Sequence, residues 1–587
     1  MSVQRDSDDR DLLCAHARGC EQGRKMKKFV WRDVTLACLL ASGLLPGWAQ
    51  QAQAPAASPG TLQRSIENVP ALPKAEKPVS QDQLDLSDLS PIAKLVRVEV
   101  RGQEDLAAAF KAYWADKMGQ SVTVEALAEF KIWANDEARE NGLYAFAQTD
   151  TEAAEGGEVL VVTLVVPRIK SVRVYVPDED LAKRYESLLI TRFAKDLAPG
   201  NVVDPSGLDQ RLEEASFDLP VSLEIVIRSA GPNLVDLVVN VAPLPNKLGQ
   251  FSSGVLQINN YGLKSYGRPQ IMGMLNVGGF TPNALLSLSG LVAEGVGYGR
   301  ADYEAPVEAL AGRMKAFGSR SVSHTILGGD TASKGMSHEA GLGLTHLWGS
   351  RKSYIFKSVT ELTSRQTVSR LALDNSETGR VEDSQLRMTW SMDNDRVARE
   401  PSSLAVTLTA GEYTHLGGNE AYNVKTGGYT KLNATGRVLR YLSRHGDWQW
   451  VGRFNAQVAS RTLDGYNRIS VGGVNGVRAY TATDGLGDQG LVVSAELNRR
   501  LSSSQSVGIF YDAGRARPNK NKIEGGFNTT YNLQAVGAQW TGNVGRWNYN
   551  ATLAKGIGGY KQAEDPTQVT ESQRNPWRLS TALTYMF

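Results

Sequence analysis

The sequence predicts a mainly β protein: a transmembrane antiparallel β-barrel of about 16 strands, preceded by two small α+β domains and a short N-terminal helix. Three observations predict it. First, Trp577, Leu579, Leu583, Tyr585 and Phe587 fall on one parity, with Arg578, Ser580, Ala582 and Thr584 between them. A strand sends alternate side chains to opposite faces, so this segment has one apolar face and one polar or small face. Such a terminal edge strand invites aggregation in water. As the closing strand of a membrane barrel its edge is paired and its apolar face meets lipid. Tyr585 and Phe587 therefore read as a barrel C-terminal signal. The plainer alternative is the last strand of a soluble sandwich.

Second, the composition changes after Pro245. Only seven of the 22 prolines lie in residues 247–587, where glycine and period-2 runs dominate. Trp448, Trp450, Phe454, Ala456 and Val458 alternate with Gln449, Val451, Arg453, Asn455 and Gln457; Leu386–Met392 and Trp547–Leu553 repeat the pattern. At ~21 residues per strand and turn, this region accommodates about 16 strands, enough for an aqueous lumen.

Third, the N-terminal region reads as a secretory signal. Met26-Lys27-Lys28, the apolar run Val34–Leu45 and Gly47-Trp48-Ala49 supply the basic, apolar and small-residue parts. Cleavage is expected after Ala49 or Ala54, within a region spanning 1–54, with Met26 as an alternative start. The apolar run is too short to span a bilayer, and no other stretch approaches 18 apolar residues. If such a chain spans a membrane it does so with strands, and a secretory signal with strands in the membrane implies a bacterial outer membrane.

Charge and cysteine usage exclude other classes. Lys and Arg number 64 against 62 Asp and Glu, and eight basic and six acidic residues precede Gln50. A chain cut after Ala49 is thus formally neutral, with no footprint for nucleic acid. Cys14, Cys20 and Cys38 all lie in the signal region. The remainder has no thiol for a disulfide, a nucleophile or a metal site.

Residues 55–91 form a Pro-, Ala- and Ser-rich linker. It contains one candidate polar helix, Gly60–Val69, which is too short to be stable in water without surrounding structure. Two units of about 75 residues follow, at 92–168 and 169–245, each in the order β-α-α-β-β. The first has strands at Lys94–Val100, Tyr144–Thr151 and Glu158–Val166, with helices at Asp105–Lys117 and Val122–Asn141. The second has strands at Ser171–Val176, Ser222–Arg228 and Leu234–Val241, with helices at Asp180–Phe193 and Pro205–Ser216. Strands with one apolar face covered by helices make a minimal two-layer domain, and the pair is a degenerate repeat. The barrel occupies 246–587.

Four further motifs fall inside the barrel region. Val477-Arg478-Ala479-Tyr480 lies in the long gap between the strand ending near Ser460 and the strand Leu491–Leu497, and Phe510-Tyr511-Asp512-Ala513-Gly514 lies beyond it. Asn259-Asn260-Tyr261-Gly262 with Gly267-Arg268, and Tyr303-Glu304-Ala305-Pro306, sit near its start. Together these resemble the VRGY-type loop, the F-x-D-x-G strand, the first hairpin and the Y-x-x-P strand of two-partner secretion transporters. These outer-membrane haemolysin secretion/activation proteins, the TpsB family, carry POTRA domains. The resemblance extends along nearly the whole mature chain, with Ala479 standing where the family usually has Gly.

The resemblance implies that the two α+β units are POTRA domains in the periplasm and that Gly60–Val69 is a plug helix. It also implies that the 461–489 loop folds into the lumen and sets Arg478 against Asp512. On Ser506–Gly514, Val507, Ile509 and Tyr511 share the apolar parity, so Phe510 and Asp512 face inward. The second strand of each POTRA-like unit, through Tyr144 and Phe146, and through Ser222, Glu224 and Val226, is the implied edge for client capture by strand addition. The implied function is translocation of a large secreted partner exoprotein, haemolysin- or adhesin-like. Implied partners are that client, outer-membrane lipid including lipopolysaccharide, and the barrel assembly machinery during biogenesis. The protein is expected to be a monomer without cofactor, metal or nucleic acid. An assembly factor that inserts other barrels and a passive porin are the alternative readings.

Enzyme signals are weak. Gly485, Gly487 and Gly490 spell G-x-G-x-x-G in a loop running into a strand, the wrong context for a dinucleotide. The six histidines show no HExxH spacing, and no G-x-S-x-G elbow occurs.

Overall fold

The computed structural model describes the chain from residue 90 onward, except 103, 141–144, 195–196, 204, 232, 245–247, 328–329, 352–353, 395–399, 419–424, 444–446, 503, 522–529, 559–571 and 573–574. The signal region, the helix expected at Gly60–Val69 and Tyr144 lie outside the described residues.

The N-terminal part is a mixed β and helix region of two units with one topology. The first contains β1 (Leu95–Arg101), α1 (Glu104–Tyr113), α2 (Val124–Glu140), β2 (Phe146–Ala154) and β3 (Gly157–Val165). The second contains β4 (Arg168–Tyr175), α3 (Glu179–Ala194), α4 (Pro205–Ser216), β5 (Val221–Gly231) and β6 (Leu234–Pro243). In each sheet the third strand is central, pairing parallel with the first and antiparallel with the second: β1-β3-β2 and β4-β6-β5. Alternation along β6 buries Val235, Leu237, Val239 and Val241 against Tyr185, Leu189 and Phe193 of α3. The first core is more aromatic: Phe110, Trp114 and Phe130 are fully buried, and Tyr113 stacks on Trp133 at 4.6 Å. The helix expected to run to Lys117 stops at Tyr113. Trp114 leaves helical geometry at φ −92° and ψ −2°, and a 3-10 turn, Ala115–Lys117, takes over.

The second unit is seated on the near rim of the barrel. Arg184 pairs with Glu308 at 2.7 Å, and Asn283 Nδ2 donates to the Leu219 carbonyl at 3.0 Å. Arg313 Nη1 donates to the Phe217 carbonyl at 3.3 Å. The Arg184–Glu308 pair is solvent-accessible and contributes little by itself; the bonds to buried-edge carbonyls fix the register of the contact.

The barrel strands are β7 (Phe251–Asn259), β8 (Gln270–Gly278), β9 (Leu285–Ala293), β10 (Val296–Val307), β11 (Gly312–Leu327), β12 (Asp330–Arg351), β13 (Tyr354–Leu371) and β14 (Glu377–Asp393). They continue with β15 (Ser402–Gly418), β16 (Gly427–Tyr441) and β17 (Trp448–Ala459). After a small hairpin of β18 (Ile469–Ser470) and β19 (Leu486–Gly487) come β20 (Gln489–Ser502), β21 (Gln505–Arg517), β22 (Tyr531–Val544), β23 (Trp547–Ile557) and β24 (Trp577–Met586). Sixteen of these, all but β18 and β19, close into one antiparallel barrel as β24 pairs with β7. Because β7 leaves the N-terminal units upward, β17 ends at the far, extracellular end and β24 returns to the near one.

Strand parity sorts the side chains as a membrane requires. Leu342, Leu362 and Leu386 are cross-strand neighbours and all face outward, 54%, 60% and 40% exposed. Strands β11–β16 are longer than the ~9–11 residues that span a bilayer and so project past it. At the seam, the Phe587 amide donates to the Gly254 carbonyl at 3.0 Å and the Gly254 amide to the Phe587 carbonyl at 2.8 Å. The Phe587 ring lies over Gly254, where a Cβ would come within 2.5 Å of it, and stacks on Phe251 at 5.4 Å.

Candidate functional site

The site is the loop 461–489, which runs from just after β17 to the first residue of β20 and turns back from the extracellular end into the lumen. Its tip is a tight knot of glycines. Val477 N–H donates to the Val471 carbonyl at 2.8 Å, and Gly473 N–H donates to Tyr480 O at 3.1 Å. Gly473 has φ +95°, a conformation that side chains with a Cβ rarely adopt. At Gly476 a Cβ would stand 2.5 Å from the Val471 carbonyl, so only hydrogen fits.

The tip rests on a wall cleared for it. Gly514 of β21 faces the lumen, and a Cβ there would lie 2.9 Å from Val477 and 3.0 Å from Val471. On β20, a Cβ at Gly490 would lie 2.8 Å from Ile469; on β23, one at Gly556 would lie 2.7 Å from the Tyr480 hydroxyl. Small lumen-facing residues on neighbouring strands thus form a cradle into which Val471, Val477, Ala479 and Tyr480 are buried with Leu533 and Ala554.

Arg478 projects from this knot, and all its donors are engaged. Nε donates to Asp512 Oδ2 at 2.8 Å and Nη2 to Asp512 Oδ1 at 2.7 Å, a two-point contact. Nη1 reaches Glu496 Oε1 at 2.8 Å and Gln539 Oε1 at 3.2 Å, and Nη2 also reaches Ser494 Oγ at 3.0 Å. The guanidinium lies 3.4 Å from the Phe510 ring centre, within cation–π range. Strand register assembles these partners: Asp512 is opposite Ser494, and Phe510 is opposite Glu496 on one side and Gly537 on the other. Arg453 also pairs with Glu496 at 3.0 Å, so two guanidiniums face two carboxylates. That balance matters because an uncompensated charge in a confined site is costly.

Ala479 stands where the resemblance expects Gly. It is buried and lies outside the left-handed region, so the backbone there does not demand Gly. Ala479→Gly is expected to leave the fold intact and to shift loop stability by no more than about 1 kcal/mol, checked by thermal denaturation of the detergent-solubilised barrel.

A second anchor holds the root of the loop, and sequence reading did not find it. Asp464 and Asn467 reach the opposite arc of wall. Arg365 Nη2 on β13 bridges Asp383 Oδ2 at 2.5 Å and Asp464 Oδ2 at 2.9 Å. Tyr413 O–H donates to Asp464 at 3.1 Å and Tyr429 O–H to Asp383 at 2.9 Å, and the two rings stack at 4.5 Å. Asn467 Nδ2 donates to Asp383 at 2.8 Å and to Asp464 at 2.8 Å. Tip and root therefore tie the loop to β20–β23 on one side and to β13–β16 on the other. Strand alternation turns Arg365, Asp383, Tyr413 and Tyr429 inward, but which loop residue meets them is set by barrel closure and not by any local pattern.

The structure places the remaining predicted residues as follows. Phe146 begins β2, and Ser222, Glu224 and Val226 lie on β5; both strands are at sheet edges, as are β1 and β4. Tyr585 and Phe587 lie at the near end of the seam, their rings stacked at 5.7 Å. Gly485, Gly487 and Gly490 belong to the return arm of the loop and the start of β20. Among the described residues, no group of His, Cys, Asp or Glu is arranged to hold a metal ion.

Comparison with known proteins agrees with this architecture. Residues 243–538 match the family model described as haemolysin secretion/activation protein ShlB/FhaC/HecB. The heme/hemopexin transporter protein HuxB of Haemophilus influenzae is 33% identical over 108 residues, 17% of this chain; the chain spans 19% of that relative's length. Among solved structures, CdiB from Escherichia coli superposes with TM-score 0.51 at 16% identity, over 93% of this chain and 100% of that one. CdiB from Acinetobacter baumannii gives TM-score 0.49 at 14% identity, over 100% of both chains. The first of these likenesses shows the shared fold, and the family match, over half the chain, shows the kinship. The protein is an outer-membrane β-barrel of the ShlB/FhaC/HecB haemolysin secretion/activation family.

Proposed function

We propose that this protein exports one large, partly unfolded exoprotein by two-partner secretion. The two N-terminal units act as POTRA domains, bounded at 92–168 and 169–245, and take up the client in the periplasm. An exposed sheet edge adds an extended chain as a further strand through backbone hydrogen bonds, which tolerates many sequences. The edges assigned this role are β2, through Phe146, and β5, through Ser222, Glu224 and Val226. The client then passes through the lumen in extended form, after the 461–489 loop and the N-terminal plug helix have moved. The periplasm offers no ATP, so folding of the client outside supplies the direction.

The observation that carries this reading is that the barrel is filled by its own tethered loop. A passive porin has no use for a lumen closed by buried ion pairs, whereas a gated exporter does. Tyr585 and Phe587 serve as the signal read by the barrel assembly machinery, and the transporter works as a monomer in lipopolysaccharide-containing membrane.

The test is the proteome of culture supernatant and outer membrane, with and without the gene. Loss of one large secreted protein, with other barrels unchanged, is the expected result. A broad fall in barrel proteins would identify an assembly factor instead, and no change in either fraction would favour a porin.

A further inference from the structure

The outward face of β11–β14 changes character abruptly above its leucine row. The Leu342, Leu362 and Leu386 row is lipid-facing. Below it, at the near end, Trp348, Phe356 and Trp390 are exposed, the aromatic girdle expected at a membrane interface. From Phe356 upward along β13, one spanning length of ~9–11 residues ends at Gln366. That height is the outer-leaflet interface.

At this level cations collect on adjacent strands. Arg320, His338 and Gln366 are cross-strand neighbours on one row, and His324, Lys334 and Arg370 on another. All share the outward parity of Leu342 and Leu362. Between the rows run Val322, Met336 and Val368, also register neighbours, and Arg380 lies opposite Val368. Acidic residues border the patch on β14, where Glu377 pairs with Arg380 at 2.6 Å and Glu382 accepts from Ser364 at 3.0 Å, and in the flanking turns, at Glu294 and Asp374. Among the described residues, Arg320, Lys334 and Arg370 form no ion pair with a carboxylate, and the cations outnumber the acids, so the arc is net basic.

We infer that this arc is a binding site for the phosphate groups of lipid A, with Arg320, Lys334 and Arg370 as the phosphate ligands and half-buried Val322 and Met336 as an apolar floor. It rests on the outer-membrane location and does not depend on the proposed export. A guanidinium presents a planar fork to a phosphate and an ammonium a point charge. Both act at an interface where the bilayer on one side and a low-dielectric wall on the other weaken screening. The consequence is a preferred lipid annulus on one arc of the barrel, fixing its orientation in the outer leaflet.

The experiment measures binding of bisphosphorylated lipid A to the detergent-solubilised full chain, beside dephosphorylated lipid A. At about fivefold per cation, the triple variant Arg320→Gln, Lys334→Gln, Arg370→Gln is expected to bind bisphosphorylated lipid A roughly a hundredfold more weakly. Its folded, heat-modifiable band should be unchanged. Arg515→Gln, an exposed outward cation on β21, should leave binding as in the wild type. Equal affinity for phosphorylated and dephosphorylated lipid would overturn the assignment. So would wild-type affinity in the triple variant, or a loss with Arg515→Gln as large as with the triple. These readouts need no client, so they stand or fall separately from the export reading.

Discussion

Arg478→Ala is expected to yield a barrel that inserts and runs as a folded, heat-modifiable species, while secretion of the partner falls at least ~tenfold. The reason is where the charge sits. Arg478 is 6% exposed and Asp512 fully buried; removing the guanidinium leaves Asp512 without its cation, held by the Ser494 hydroxyl, and Glu496 with Arg453 and the Gln539 amide. Breaking such a pair costs ~3–5 kcal/mol, which exceeds what one docked loop can absorb. The barrel ladder does not depend on the pair, because Asp512 and Ser494 keep their backbone register. The loss should therefore appear in the docked loop and leave the wall intact. Arg478→Lys retains charge but lacks the fork that meets both Asp512 oxygens, so it should rescue only part of secretion. Immunoblots of supernatant and outer membrane measure both quantities. Wild-type secretion by Arg478→Ala would remove the role assigned to the pair.

The features legible in the sequence were those that depend on short-range periodicity. Inward parity of Phe510 and Asp512 followed from Val507, Ile509 and Tyr511 on the same strand, and the structure has Ile509 and Tyr511 exposed with Asp512 buried. The two N-terminal units were visible because β-α-α-β-β recurs with alternating strands, and their matching sheet orders follow. Strand ends were less legible: the strand expected at Leu491–Leu497 runs from Gln489 to Ser502, since polar residues pair within the ladder as readily as apolar ones. The cradle was hidden for another reason. Gly490, Gly514 and Gly556 look like ordinary strand glycines until the loop is laid over them, and only then does each missing Cβ acquire a cause. The root anchor was least visible, because Asp464 and Arg365 are far apart in sequence and neither is part of a motif.

That root anchor supplies a second large effect. Arg365→Met is expected to raise the single-channel conductance of the purified protein in planar bilayers severalfold and to lower its stability by ~3–5 kcal/mol. Arg365 stands between Asp383 and Asp464, so its removal leaves two carboxylates facing each other at the base of the loop. Asp464→Asn should be milder, since an amide can still accept from Tyr413 and Asn467 while Arg365 keeps Asp383. The double variant Arg365→Met, Asp464→Asn then separates charge from shape. It leaves Asp383 alone with donors from Tyr429, Gln385 and Asn467, and should be more stable than Arg365→Met by itself, the non-additivity expected of groups in one network. If Arg365→Met leaves conductance at the wild-type level, or if the double variant is as unstable as the sum of the two single changes, the root is ordinary packing. If both expectations hold, two clamps on opposite arcs of the wall each restrain the loop, and breaking the tip alone opens the lumen less than breaking both.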